Sequence, residues 1–149
     1  KYSLLRVSLP SDVAFDVNTS VSFDGDSGPY LLYTYARCKS VLQKSQTQMS
    51  PINLMSHISL INLNPEERLI ARLIHFYPQI VADSAAAFAP SMLCKYLFDL
   101  ASSFNAFYAK HTILGEGENA GHRTALTAAT AQVLRNGLYL LGIETVERM

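Results

Sequence analysis

Hydrophobic side chains recur at helical spacing over most of the chain. From Tyr30 to about Gln48 the apolar positions return every three or four residues, which is the spacing of one face of a helix. The same periodicity covers residues 64–77, 79–88, 91 to about 110, and 122–141. Because each segment has one apolar side to bury, the pattern predicts an all-α helical bundle of about five helices.

The polar residues that flank these segments include recognisable helix starts. Asn64 precedes a proline, and Glu67 stands three positions later, as in a capping box. Pro29 suits a first helical turn, where the missing N–H costs nothing, and Ser27 or Asp26 is expected to cap that helix.

Other residues predict where helices end or approach one another. Pro78 is expected to end its helix or to restart it, because proline lacks a backbone N–H. Gly142 is expected to follow the last helix at the C′ position. Gly137 falls within the apolar stripe of that helix, so we expect another helix to approach closely there.

Two segments lack helical periodicity. Residues 1–26 contain short β-favouring pieces, Tyr2–Val7 and Val13–Val17, and are the least regular part of the chain. Residues 45–63 are rich in Gln and Ser, and we expect a loop there with an ordered stretch at most, without an assigned role.

Composition narrows the class of protein. The 149 residues suit one domain, and twelve Lys and Arg balance twelve Asp and Glu. This balance excludes a strongly basic nucleic-acid tail and an acidic disordered chain. The apolar runs are too short to span a bilayer, so no membrane partner is expected. The chain begins at Lys1 rather than Met, which favours a fragment of a longer protein.

The sequence contains no recognisable catalytic or metal-binding motif. Glycine-rich phosphate loops, nucleophile elbows and paired Cys-x-x-Cys motifs are absent, and the four histidines do not fall at metal-ligand spacing. Cys38 and Cys94 are isolated among apolar residues. We expect both to be buried, reduced thiols, without metal or disulfide, in a reducing compartment.

One charged feature stands out, because no acidic residue occurs between Ser27 and Pro65. On a helical wheel a single quarter-turn carries Tyr30, Tyr33, Arg37, Ser40 and Lys44. Tyrosines can stack on unpaired bases, and lysine or arginine can bind phosphate, so this tyrosine–basic face is a candidate RNA surface. The alternative from spacing alone is a solvated basic face whose tyrosines pack under a loop.

Longer motifs resemble one known family. Residues 23–37, Phe-Asp-Gly-Asp-Ser-Gly-Pro-Tyr-Leu-Leu-Tyr-Thr-Tyr-Ala-Arg, closely resemble a run found in arginyl-tRNA synthetases, although Leu32 stands where many members have Gln. Residues 45–63 match nothing in that pattern. Further runs resemble the family's C-terminal region in the same order: residues 93–101, 104–108, 123–126, 132–138 and 141–149.

The resemblance implies that residues 23–149 form the C-terminal, DALR-type anticodon-binding domain of a class I synthetase, an all-α bundle, and that residues 1–22 form its junction with the catalytic domain. On this resemblance the parent enzyme would attach arginine to its tRNA in the cytoplasm, using ATP and Mg²⁺ in a catalytic domain of the same polypeptide. This chain has neither a HIGH-like nor a KMSK-like signature. It is therefore expected to carry no cofactor and to bind the anticodon stem-loop of tRNA-Arg without catalysing the ligation.

The resemblance also implies roles for particular residues. The tyrosine–basic face would turn toward the anticodon stem and loop, with its two tyrosines contacting or supporting splayed bases. Arg37 and Lys44 would meet phosphates, although Arg37 could instead be buried and structural. Tyr108 and the terminal Met149 are further candidates for the loop pocket.

Two other functions stay open at this point. One is the anticodon domain of a related class I synthetase of the cysteinyl type, against which the terminal Gly-Ile-x-x-x-Glu-Arg-Met pattern argues. The other is a stand-alone helical module that binds proteins and has no affinity for RNA.

Overall fold

The computed structural model describes residues 1–8, 11–12, 16–46, 63–115 and 119–147. Within these ranges the regular structure is helical, and no strand is present. The all-α prediction is confirmed, with four long helices and two short ones in place of about five. They are α1 Tyr2–Leu5, α2 Val17–Val21, α3 Gly28–Gln46, α4 Pro65–Ala86, α5 Pro90–Lys110 and α6 Ala120–Leu140.

The long helices pack mainly as two pairs, α4 against α5 and α3 against α6, and α5 also contacts α3 and α6. The Tyr96 hydroxyl donates to the Leu73 carbonyl oxygen at 2.8 Å, and Lys110 at the end of α5 meets Glu66 at the start of α4, so these helices are antiparallel. Tyr30 near the start of α3 contacts Ser102, and Arg37 further along α3 contacts Tyr108 further along α5, so these two helices are parallel. All four long helices contribute fully buried side chains to the core, among them Leu31, Ile70, Leu97, Leu100, Phe104, Phe107, Leu134 and Leu138.

The predicted helix starts are confirmed in detail. The Tyr30 N–H donates to Ser27 Oγ at 3.2 Å, so Ser27 rather than Asp26 caps α3. Both capping-box bonds of α4 form: Glu67 N–H donates to Asn64 Oδ1 at 2.8 Å, and Asn64 N–H donates to a Glu67 carboxylate oxygen at 3.0 Å.

The predictions for the last helix are also confirmed. Gly142 has φ +67°, and the Ile143 N–H donates to the Leu138 carbonyl oxygen at 2.9 Å, as in a Schellman ending. A Cβ built on Gly137 would lie 2.5 Å from Leu97 Cδ2, so the helix that approaches closely is α5.

The expectation that Pro78 ends or restarts its helix is wrong, because α4 continues through it to Ala86. Proline removes the N–H that would bond the Ile74 carbonyl oxygen, which ordinarily costs about 3 kcal/mol or more. Tyr77 and Val81 on either side pack against the core, and Pro78 itself is exposed. Packing of the flanking turns therefore outweighs the missing hydrogen bond.

The β-favouring pattern at the start of the chain is misleading, because residues 2–5 form α1. Tyr2 is 4% exposed and its hydroxyl oxygen lies 2.6 Å from Asp26 Oδ1, so tertiary contacts determine this conformation. Of the second piece, residues 13–15 lie outside the described residues, and Val17 begins α2. The division at residue 22 stays a prediction, as does the nature of residues 45–63, most of which are not described.

Candidate nucleic-acid interface

Arg37 lies between two tyrosine rings that come from different helices. Its Cζ atom is 4.6 Å from the ring centroid of Tyr33 on α3 and 4.8 Å from that of Tyr108 on α5. Both distances are within the range of a cation–π contact. We call these three residues the Arg37 stack. The fold thus brings together three of the residues that the sequence singled out, one of them from a distant segment.

Hydrogen bonds fix the guanidinium inside the stack. Arg37 Nη1 donates to Asn105 Oδ1 at 2.6 Å, and Nη2 donates to the Tyr33 hydroxyl oxygen at 2.8 Å. Both acceptors are neutral, and none of the ion pairs among the described residues includes Arg37. The stack is therefore ordered and keeps a positive charge that is not paired with a carboxylate of any residue that the structure describes.

The tyrosines of the stack remain accessible to a ligand. Tyr33 and Tyr108 are each 40% exposed, whereas Arg37 between them is half-buried. Phe23 borders Tyr33 edge-on, with the ring centroids 6.4 Å apart. An exposed aromatic ring beside an unpaired cation can stack on a nucleic-acid base while the cation attracts phosphate.

Tyr30 occupies a different position from Tyr33. Its ring centroid is 5.7 Å from that of Phe98, and its hydroxyl oxygen is 3.5 Å from Ser102 Oγ, both on α5. Tyr30 is half-buried and packs against the core. It lies between α3 and α5, where it supports the surface that carries the Arg37 stack.

Lys44 extends the positive charge along α3. It is exposed, and with Tyr108 it lines an open groove of about 350 Å³ that continues along residues 109–114. On that side the Lys110 ammonium is 2.8 Å from Glu66 Oε1 and holds the pKa of that carboxyl below its ordinary value. Glu66 is therefore ionised at neutral pH and partly neutralises Lys110, whereas Lys44 has no ion pair among the described residues.

One predicted residue lies outside the described part of the chain, and one residue of the site was not predicted. Met149 lies outside the described residues, so its predicted role stays a prediction. Asn105 was given no role by the sequence, although it accepts a hydrogen bond from Arg37 and occupies the α5 turn before Tyr108. Its three-residue spacing from Tyr108 was the only local signal that both side chains share a helix face.

Neither thiol is placed for chemistry. Cys38 and Cys94 are buried and free, and burial raises the pKa of both, to about 12 for Cys94. Over the described ranges no group of three His, Cys, Asp or Glu side chains could hold a metal ion. In the same part of the chain, no helix combines the length and hydrophobicity needed to cross a membrane.

Sequence comparisons identify the relatives of this chain. The family described as the DALR anticodon binding domain matches residues 31–149. An arginine–tRNA ligase of Flavobacterium psychrophilum is 34% identical over 151 residues, and one of Marinomonas sp. is 38% identical over 150. Both alignments cover 100% of this chain but only 24% and 25% of the relatives. The chain thus spans about a quarter of the length of the curated relatives it matches.

Solved structures agree with the sequence relatives. The arginyl-tRNA synthetase of Thermus thermophilus superposes with a TM-score of 0.86 at 29% identity, covering 99% of this chain and 25% of that one. The arginyl-tRNA synthetase of Plasmodium falciparum gives a TM-score of 0.84 at 27% identity, covering 99% and 26%. The described helices therefore have the arrangement of one domain of these larger proteins.

Proposed function

The chain belongs to the DALR anticodon-binding domain family, and from this premise we propose that it binds the anticodon stem-loop of tRNA-Arg. In this proposal it serves an arginine–tRNA ligase, the activity named for relatives that match its whole length. Ligation, with its ATP and Mg²⁺, takes place in a catalytic domain of the same polypeptide. The isolated chain then binds RNA in the cytoplasm and forms no arginyl-tRNA.

The observation that carries this proposal is the Arg37 stack. Bases of an anticodon loop are unpaired, so each offers an aromatic face, and Tyr33 and Tyr108 are exposed rings held in place by hydrogen bonds and packing. A base stacked on one such ring contributes about 1–3 kcal/mol. The charge of Arg37, which no described carboxylate neutralises, and the exposed Lys44 attract the phosphates of the loop.

A binding titration tests the proposal. We expect the chain to bind tRNA-Arg more tightly than a non-cognate tRNA or a tRNA-Arg with a substituted anticodon. Tyr33→Ala should weaken tRNA-Arg binding about 5- to 150-fold, the equivalent of one stacked base. Tyr139→Ala is the matched control, because Tyr139 is 79% exposed on α6 and is not part of the stack.

A salt series separates stacking from phosphate contact. Lys44→Ala should weaken cognate and non-cognate tRNA alike and lower the salt slope by about one unit or less, because phosphate carries no sequence information. Lys95→Ala is its control, since Lys95 lies on the exposed side of α5 and pairs with Asp99. Equal binding of all three tRNAs, or no binding of any, would contradict the proposed function. If Tyr33→Ala destabilises the fold but leaves the affinity of folded protein unchanged, the tyrosine is structural and the stacking assignment is wrong.

A further inference from the structure

We propose that Asn105 is a positioning residue for RNA binding: from α5 it holds the guanidinium of Arg37 between the two tyrosine rings. This inference rests on the proposed function, and it adds a residue that reaches the RNA only through another side chain. Asn105 Oδ1 accepts from Arg37 Nη1 at 2.6 Å, across an interval of 68 residues in the chain.

A second contact determines which end of the amide faces Arg37. The hydroxyl of Thr34, which is fully buried, donates its only hydrogen to the Tyr30 carbonyl oxygen at 2.9 Å. Thr34 Oγ1 can then only accept from Asn105, and Asn105 Nδ2 lies 2.8 Å from it. The amide nitrogen is thereby turned toward Thr34, so the carbonyl oxygen is presented to the guanidinium of Arg37.

The link matters because the remaining hydrogen bond of the guanidinium stays within α3. Arg37 Nη2 donates to the hydroxyl of Tyr33, one turn away on the same helix. Without Asn105 the face of the Tyr108 ring would still contact the long arginine side chain, but no hydrogen bond among the described residues would tie it to α5. The side chain would then leave the stack more often, and each RNA-binding event would have to order it again.

A double-mutant cycle tests this role. Asn105→Ala should weaken tRNA-Arg binding about tenfold, the size expected for one lost hydrogen bond to a charged group. In an Arg37→Met background the same change should alter binding less than twofold, because Asn105 can no longer act through Arg37. Asn136→Ala is the matched control, since Asn136 is exposed on α6 and accepts a bond of 2.8 Å from Gln132.

Each outcome has a distinct meaning. Wild-type affinity for Asn105→Ala, or an equal loss in both backgrounds, would overturn the positioning role while leaving the proposed function intact. Failure of the unaltered chain to bind tRNA-Arg would overturn both. If Asn105→Ala does not fold, Thr34→Val tests the same role, because it removes the acceptor that orients the Asn105 amide. It should weaken binding only when Arg37 is present, and an unchanged or background-independent affinity would overturn the proposal.

Discussion

Replacing Gly137 by alanine tests a close approach between α6 and α5. The new Cβ would lie 2.5 Å from Leu97 Cδ2 and 2.9 Å from Cδ1. Carbon atoms in good contact are about 3.5–4.0 Å apart, so the overlap is about 1 Å. Leu97 is fully buried at the centre of the core and cannot swing into solvent to relieve it.

Two opposing effects set the result of Gly137→Ala. Alanine favours a helix over glycine by about 1 kcal/mol, whereas forcing an extra carbon into a packed core costs about 1–3 kcal/mol. Because the overlap is large and Leu97 is enclosed, we expect the steric effect to win, with a net loss of up to about 2 kcal/mol. In a Leu97→Ala background the clash is absent, so the same substitution should be neutral or stabilise by up to about 1 kcal/mol.

Urea unfolding of the four proteins in this cycle measures the coupling directly. Leu97→Ala alone should cost about 2–5 kcal/mol, as for other large-to-small core changes. The cycle should give a favourable coupling of about 1–3 kcal/mol between the two alanines. A Gly137→Ala protein more stable than the original, or one equally destabilised in both backgrounds, would show that contact with Leu97 is not why glycine is needed.

Three further predictions follow from buried groups and from α4. Burial alone would raise the pKa of Glu67, but the Asn64 backbone N–H and the Arg123 guanidinium hold it below the ordinary value of 4.5. Glu67→Gln should lower the free energy of unfolding by about 3 kcal/mol at pH 7. The difference in melting temperature between this variant and wild type should narrow as the pH falls below about 4.5. A difference that does not change with pH would contradict this reasoning. Cys94, buried with a pKa of about 12, should resist a thiol reagent at pH 8 until denaturant is added, and rapid labelling of the native protein would refute the burial argument. Pro78→Ala restores an N–H for the Ile74 carbonyl oxygen and should raise the unfolding free energy by about 1–2 kcal/mol in a thermal melt, whereas a lower melting temperature would show that the proline stabilises α4.

The sequence predicted only part of the candidate surface. The wheel of α3 placed Tyr33, Arg37 and Lys44 on one face, because residues three, four and seven positions apart share a face of any helix. The assignment of Tyr108 to the anticodon-loop pocket came only from resemblance to a known family, since spacing within one helix carries no information about its neighbour. Asn105 was missed for the same reason, although it makes the shortest hydrogen bond to Arg37.

Local interactions explain what the sequence by itself determined. The Asn64–Glu67 capping box, the Ser27 cap and the glycine ending at Gly142 all join groups within a few residues of one another, so a short motif contains every participant. Apolar periodicity predicted α3, α5 and α6 for the same reason, whereas it predicted α4 as two helices separated at Pro78. These features do not depend on how the helices pack.

Tertiary structure decided the features in which distant residues compete with local preference. Tyr2 is helical and buried despite a β-favouring neighbourhood, and α4 runs through Pro78, because burial against the rest of the bundle outweighs weaker local propensities. The pairing of Arg37 with Asn105 and Tyr108 likewise required α3 and α5 to be placed side by side. That placement results from packing of the whole core, which couples positions far apart in the chain, so no local pattern specifies it.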